Sequence, residues 1–131
     1  MFNPLGISAA RMADTAWAAV KQSGQISLVE KKDKRFVFLS KGKLEQFIID
    51  LFEEQEGLCA LTGLEMVLDG NDGDPELCCS LDRIESSGHY ERGNLQIVCK
   101  FANRWKSASD NDQFKGLIEK IRSDEQVESK I

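Results

Sequence analysis

The sequence predicts a single domain of the α+β class, on three observations. Its 131 residues match the length of one domain. Apolar residues recur at helical spacing from Leu44 to Phe52, which predicts an amphipathic helix. Two short runs, 80–84 and 95–99, flank a polar loop that contains glycine, which predicts a strand on each side of that loop.

Composition restricts the class of protein further. Apolar residues make up 41% of the chain and charged residues 30%, a balance typical of globular proteins. No apolar run approaches the ~20 residues that cross a bilayer, so an integral membrane protein is not expected. No basic region followed by an apolar stretch marks a signal peptide, so we expect a cytoplasmic protein. The net charge of −5 argues against a uniformly basic, nucleic-acid-coating surface.

The N-terminal region, 1–57, is predicted to be an accessory region packed on the rest of the domain. An alanine-rich stretch with helical spacing predicts a helix over about 9–22, ended by a glycine. The runs 26–29 and 36–39 favour strands, so we expect a β-hairpin before the helix that starts near Lys43. The tip of this hairpin would present four cations that suit phosphate groups: Lys31, Lys32, Lys34 and Arg35. Solubility alone would also produce a charged tip.

A tight turn is expected at 58–63, followed by an acidic loop at 69–75. Counted from Asp69, this loop has neither glycine at the sixth position nor glutamate at the twelfth, so it does not match a calcium-binding EF-hand loop. We therefore expect no calcium site there.

The C-terminal part is predicted to be helical. One helix is expected from about Phe101, directly after the second strand, and another over 111–122. Asp110 or Asp112 can cap the second of these helices. The remaining residues, 123–131, are polar and are predicted to fray.

Residues 80–106 carry the polar side chains that indicate a chemical site. In the predicted strand–loop–strand–helix unit, Asp82 leaves the first strand and Asn103 lies in the first turns of the helix, so both oxygen donors can face one cation. A hard ion such as Mg²⁺ binds one or two such oxygens and keeps positions open for phosphate oxygens. The pattern therefore indicates a divalent-cation site suited to a phosphodiester.

Four motifs between 59 and 106 resemble, in order, those of the small HNH endonucleases. These enzymes are ββα-metal nucleases of phages, mobile elements and restriction systems. The motifs are C-A-L-T-G at 59–63, S-L-D-R-I at 80–84, G-H-Y-E-R-G-N-L-Q-I-V at 88–98 and N-R-W-K at 103–106. The resemblance covers 58–122, about half of the chain. It implies a ββα-metal core with an added N-terminal helix, β-hairpin and flanking helices. It also implies metal-dependent cleavage of DNA that leaves 5′-phosphate and 3′-hydroxyl ends.

The resemblance also implies a role for each matched residue. Asp82 and Asn103 would be the two protein ligands of the metal. Asn94 would bridge the backbone of the loop and hold the two strands in register. Arg104 and Lys106 would contact the DNA backbone.

The general base is the point at which this chain departs from the commonest form of the motif. A histidine usually follows the aspartate, whereas this chain has Arg83, which stays protonated. Arg83 is therefore predicted to hold the scissile phosphate, with Tyr90 helping to orient it. The one histidine, His89, has an ordinary imidazole pKa near 6.5 and is a candidate base. The alternative is a metal-activated water that loses its proton to solvent or to the phosphate.

The cysteines depart from the family as well. In a chain without a secretory signal they are expected to be reduced thiols. Many HNH domains bind structural zinc through paired Cys-x-x-Cys knuckles, but Thr62 and Ala102 replace two of those four ligands here. We therefore expect buried thiols and no structural zinc. The alternative is a zinc site that uses Cys78 or Cys79 in place of the missing ligands. The four residues are Cys59, Cys78, Cys79 and Cys99.

The sequence thus predicts an HNH-type endonuclease with DNA as its partner, Mg²⁺ or Mn²⁺ as its cofactor, and a homodimer if both strands are cut. One alternative is a catalytically inactive HNH-like module that binds nucleic acid, motivated by Arg83 and the acidic net charge. A second alternative is a zinc-knuckle interaction module with no role on nucleic acid, motivated by the four cysteines.

Overall fold

This computed structural model describes residues 3–26, 38, 40–85, 87–107 and 110–129, and the side chains in these ranges except those of 21–26 and 124–129. Within this part the protein combines helices with a two-stranded antiparallel sheet, as the predicted α+β class requires. No helix among the described residues is long and apolar enough to cross a membrane. The elements, in chain order, are α1 (Pro4–Ile26), α2 (Lys41–Glu54), a 3₁₀ turn (Pro75–Leu77), β1 (Cys79–Arg83), β2 (Leu95–Cys99), α3 (Lys100–Lys106) and α4 (Asn111–Ser129).

Helix α1 begins earlier and ends later than predicted. The Asn3 side-chain oxygen accepts a hydrogen bond from the Gly6 amide at 3.1 Å, and Pro4 follows it at a position where a missing N–H costs nothing. The helix continues through the glycine expected to end it, so Ile26, which was assigned to a strand, is helical. Small side chains on one face let α1 pack closely against α2. The fully buried apolar residues of that face are Ala9, Met12, Ala13 and Ala16.

Helix α2 confirms the most strongly periodic stretch of the sequence. It begins two residues before Lys43 because the Ser40 hydroxyl accepts the Lys43 amide at 3.2 Å and caps the helix. Leu44 and Ile48 are completely buried, which puts the predicted apolar stripe against the core. The chain then turns at Gly57, whose φ of 72° favours glycine.

Most of the predicted β-hairpin falls on 27–37 and 39, outside the described residues. Its four-cation tip therefore stays a prediction. Phe38, the one described residue of the second predicted strand, is a bend residue that is buried beside Phe47, with ring centroids 5.3 Å apart.

The two strands form where the sequence predicts them. Strand β2 has the predicted bounds, and β1 is shifted by one residue toward the N-terminus. Every residue of β2 is buried because α2 and α3 pack against it. The register pairs Asp82 with Gln96 and Arg83 with Leu95, which decides the neighbours of the candidate site.

Helix α4 starts at the predicted position but ends later than predicted. Asp110 caps it by accepting the Asp112 amide at 2.7 Å. The helix continues to Ser129, seven residues beyond the predicted end at 122. The polar composition of this segment indicated exposure to solvent, but glutamate and glutamine are also good helix formers.

The acidic loop is attached to α1 through Asp69. Arg11 Nε lies 2.7 Å from Asp69 Oδ2, and Arg11 Nη2 lies 3.0 Å from Oδ1 and 2.6 Å from the Cys79 carbonyl oxygen. The Ser8 hydroxyl donates to Asp69 Oδ1 at 3.0 Å and accepts the Asp69 amide at 2.8 Å. The hydrogen bond from Arg11 is the main reason why the pKa of Asp69 is lowered to about 2. Asp69 thus holds Arg11 of α1 in place, and Arg11 in turn contacts the first residue of β1.

Replacing Asp69 with asparagine should change how stability depends on pH. Because the pKa of Asp69 is lower in the folded than in the unfolded chain, its carboxylate stabilises the fold above about pH 4, and this is lost as pH falls toward 2. We expect Asp69→Asn to cost about 1–3 kcal/mol at pH 7 and to flatten the pH dependence between these limits. Urea denaturation at a series of pH values measures both. Asp72→Asn, in the same loop, is the matched control, and a wild-type slope in Asp69→Asn would contradict the assignment.

Candidate functional site

The candidate site lies where β1 packs against α3. Strand alternation puts Ser80 and Asp82 on one face of β1, and helical spacing puts Asn103 and Lys106 on one side of α3. Asn103 Nδ2 donates to Ser80 Oγ at 2.8 Å, and Lys106 Nζ donates to Asp82 Oδ2 at 2.7 Å. The structure therefore brings the two predicted metal ligands, Asp82 and Asn103, to one strand–helix interface.

The ion pair between Lys106 and Asp82 is inside the protein. The Lys106 side chain is 0% exposed and that of Asp82 is 8% exposed. Besides Asp82, the Lys106 ammonium donates to the carbonyl oxygens of Arg83 at 2.9 Å and Ile84 at 3.2 Å, so each of its three protons has an acceptor. This corrects the prediction that Lys106 contacts the DNA backbone. The residue lies on the predicted helix, but the packing of that helix on β1 covers it.

Gln96 extends the ion pair to the other strand and to α4. It lies opposite Asp82 in the sheet, and its Nε2 donates to Asp82 Oδ2 at 2.9 Å and to Asn111 Oδ1 at 2.8 Å. Sequence reasoning assigned no role to Gln96 or to Asn111. No sufficient signal for Gln96 was present in the sequence, since the predicted strands 80–84 and 95–99, paired end to end, put Ile97 across from Asp82. The observed shift of β1 by one residue puts Gln96 there instead.

One oxygen of each predicted ligand is left over. Asp82 Oδ1 and Asn103 Oδ1 accept no hydrogen bond from the described residues, whereas their partner atoms are held by Lys106, Gln96 and Ser80. No buried side-chain oxygen or nitrogen in the described part lacks a partner, so both free oxygens reach solvent. Carboxylate and amide oxygens are the ligands that Mg²⁺ and Mn²⁺ prefer. The donor chemistry of the pair therefore suits a hard divalent cation.

The side chain of Arg83, the last residue of β1, is held by contacts with the loop between the strands. Being next to Asp82 in β1, it lies on the opposite face of the strand. Its Nη1 donates to the Gly88 carbonyl oxygen at 2.9 Å, and its guanidinium lies 5.1 Å from the centre of the Tyr90 ring. Arg83 and Tyr90, both predicted to act on the phosphate, are thus brought together. The described contacts of Arg83 do not join it to Asp82 or Asn103.

Asn94 makes the bridge across this loop that the resemblance implied. Its Oδ1 accepts the Glu85 amide at 2.9 Å, and its Nδ2 donates to the carbonyl oxygens of Glu85 at 3.2 Å and His89 at 3.0 Å. A Cβ at Gly88 would lie 2.6 Å from Asn94 Nδ2, so this close approach requires glycine. These contacts make Asn94 a positioning residue rather than a catalytic one. His89, the candidate base, is half-buried and presents its backbone to Asn94.

Arg104 is at the surface, where a contact with DNA is feasible. Its side chain is 66% exposed and forms an ion pair with Glu76 at 2.5 Å. Exposed pairs of this kind contribute little to stability and exchange readily with other anions. Its predicted contact with the DNA backbone stays a prediction.

The knuckle positions that bind zinc in many HNH domains come together in the core. Cys59, Thr62, Cys99 and Ala102 are all buried, and the Cys99 amide donates to Cys59 Sγ at 3.3 Å. Burial alone would raise the pKa of Cys59, but hydrogen bonds from Thr62 and from backbone amides lower it below its ordinary value. Burial, together with the neighbouring Cys59 sulfur, raises the pKa of Cys99 to about 12. Both thiols belong to the packed core, as the sequence predicts for them.

A second group of potential metal ligands surrounds Arg11. One ligand atom from each of Asp69, Cys78 and Cys79 lies within 4.8 Å of the others. Arg11 Nη2 is 3.6 Å from Cys78 Sγ and 3.8 Å from Cys79 Sγ, so a guanidinium already supplies positive charge. Burial raises the pKa of both thiols. In this structure the guanidinium of Arg11 thus occupies the centre of the cluster as the counter-ion of Asp69.

Comparison of the chain with protein-family models, with curated proteins and with solved structures finds no match. The function therefore has to be inferred from the residues and geometry of the site itself.

The buried ion pair should appear in stability measurements. We expect Asp82→Ala to lower the free energy of unfolding by about 3–5 kcal/mol, because it leaves the Lys106 ammonium buried without a counter-ion. The double variant Asp82→Leu, Lys106→Met should recover most of this loss, since neither charge is then stranded. Chemical denaturation measures all three proteins.

Arg104→Gln, which removes the exposed pair with Glu76, is the control and should cost less than ~1 kcal/mol. A double variant no more stable than Asp82→Ala would show that the stranded ammonium of Lys106 is not the cause of the loss.

Proposed function

We propose that this protein is a divalent-metal-dependent DNA endonuclease of the HNH type, with Asp82 and Asn103 as the metal ligands. The observation that supports this proposal is the pair of solvent-reaching oxygens, Asp82 Oδ1 and Asn103 Oδ1, that no described residue occupies at one strand–helix interface. A bound Mg²⁺ or Mn²⁺ would supply positive charge to the phosphodiester as its P–O bond breaks.

The surrounding residues orient the two ligands. Lys106 and Gln96 both hold Asp82 Oδ2, which leaves Oδ1 as the available donor. Ser80 accepts from the Asn103 amide nitrogen, which fixes the direction of the amide oxygen. Such contacts behind a ligand commonly change metal affinity or activity 10–100-fold when removed, because they set the ligand's orientation.

The basic side chains near the site suit a phosphate backbone. Arg83 forms no ion pair within the described part of the chain, and one of its five N–H groups is spent on the Gly88 carbonyl. The remaining donors can bind a phosphate in bidentate fashion. Basic residues outnumber acidic ones over 83–106, although the whole chain carries −5. Lys106 is buried in its pair with Asp82, so the exposed basic residues of this segment are Arg92, Lys100 and Arg104.

Two observations favour the second candidate, an inactive HNH-like module that binds nucleic acid. The Lys106 ammonium already neutralises Asp82, and Arg83 occupies the position of the usual base. Incubation of supercoiled plasmid with the protein in Mg²⁺, Mn²⁺ or EDTA distinguishes the two functions. The endonuclease cuts or nicks only with metal, whereas the binding module retards the plasmid in a gel and cuts it in none of the three.

Removing a ligand oxygen should remove cleavage. We expect Asn103→Ala to lower the rate of plasmid cleavage by ~10²-fold or more, because a metal contribution of several kcal/mol is lost. Asn103→Asp keeps an oxygen in the same place and should retain substantially more activity. Thermal melting of both variants checks that the fold persists. Near wild-type cleavage by Asn103→Ala would exclude Asn103 from the site.

Cleavage by variants of Arg83 and His89 tests whether His89 is the general base. We expect Arg83→Ala to be the more damaging change, because its guanidinium is held in place by Gly88 and Tyr90 as a phosphate donor. Arg83→Lys, which keeps the charge but not the planar fork, should recover only part of the activity. Single-turnover cleavage rates measure these effects. A loss of ~10²-fold or more in His89→Ala would instead make His89 the general base.

A further inference from the structure

A cavity of about 680 Å³ opens between the C-terminal end of α2, the start of α1 and the segment that precedes the acidic loop. This volume is within the range of small-molecule and side-chain binding sites. None of its lining residues belongs to the candidate nuclease site. The apolar lining residues are Leu5, Phe52, Met66, Val67 and Leu68.

The charged residues among the described lining of this cavity all have the same sign. They are four exposed carboxylates, and no described lysine or arginine lines the cavity. None of the four forms an ion pair within the described part of the chain. The apolar floor beneath them strengthens their field by excluding water. The four carboxylates are Glu53, Glu56, Glu65 and Asp72.

The wall of the cavity is built into the fold. Glu56 and Gly57 turn the chain with φ values of 57° and 72°, and the Met66 amide donates to the Gly57 carbonyl oxygen at 3.0 Å. These contacts hold the end of α2 against the segment that carries Met66. A site that exists before binding avoids the cost of ordering on association.

We propose that this cavity is a docking site for a basic amphipathic peptide segment of a partner protein. An apolar side chain of the segment would insert against Phe52, Met66 and Leu68, and its lysines or arginines would neutralise the four carboxylates. Charge complementarity selects this occupant. The carboxylates repel DNA, and a simple inorganic cation would gain nothing from an apolar floor. Methionine in the floor adapts readily to different inserted side chains.

Binding of a fluorescein-labelled synthetic peptide of alternating lysine and leucine tests the proposal by anisotropy. We expect the wild-type protein to bind it, with affinity decreasing as salt increases. The rim variant Glu53→Gln, Glu56→Gln, Glu65→Gln, Asp72→Asn should bind about tenfold or more weakly, because four exposed charge pairs are lost.

The matched control changes the same number of charges elsewhere: Glu45→Gln, Glu91→Gln, Asp112→Asn and Glu119→Gln. It should bind nearly as well as wild type. Equal weakening in both variants would show attraction by net charge alone and would overturn the proposal. So would an absence of binding to the wild-type protein.

A second peptide, with serine in place of every leucine, tests the apolar floor. We expect it to bind about tenfold or more weakly than the leucine peptide, since the transfer of apolar side chains is lost. Equal affinity of the two peptides would make the cavity a site for cations only and would overturn the proposal. No DNA or metal enters this experiment, so its outcome is independent of the nuclease activity.

Discussion

The buried ion pair between Asp82 and Lys106 is the interaction on which the rest of the site depends. Two charges are removed from water there, which is unfavourable unless their hydrogen-bonding groups are satisfied. The fold meets this requirement by placing two carbonyl oxygens at the end of β1 around the ammonium and Gln96 beside the carboxylate. The pair connects β1 to α3, and Gln96 extends the connection to β2 and to the start of α4.

The same contacts give Asp82 two roles. A carboxylate with one oxygen held by Lys106 and Gln96 is a structural anion, and in the proposed function its other oxygen would be an oriented donor for a cation. Asn103 would act in the same way, since Ser80 fixes its amide. The lysine would lower the net negative charge available to a divalent ion, so metal affinity at such a site would depend on orientation as well as on attraction.

Charge is distributed unevenly over the chain, and the net value conceals this. The segment 83–106 carries more basic than acidic residues, whereas every described charged residue that lines the cavity beside α2 is a carboxylate. The two parts of the molecule therefore differ in the sign of their charge, and each proposal made above uses one of them.

What the sequence determined by itself is local. The stripe of α2 and the bounds of β2 follow from spacing and side-chain size within a few residues. The Asn94 bridge is equally local, and the resemblance of the motifs implied it. Tertiary structure decided the rest, because it depends on which distant surfaces meet. The pairing of Arg11 with Asp69 joins residues 58 apart, and the burial of Lys106 requires α3 to lie on β1. From the sequence alone, a lysine on a helix is predicted to be a surface cation. It can be buried here because the strand beneath it supplies a carboxylate and two carbonyl oxygens to its ammonium.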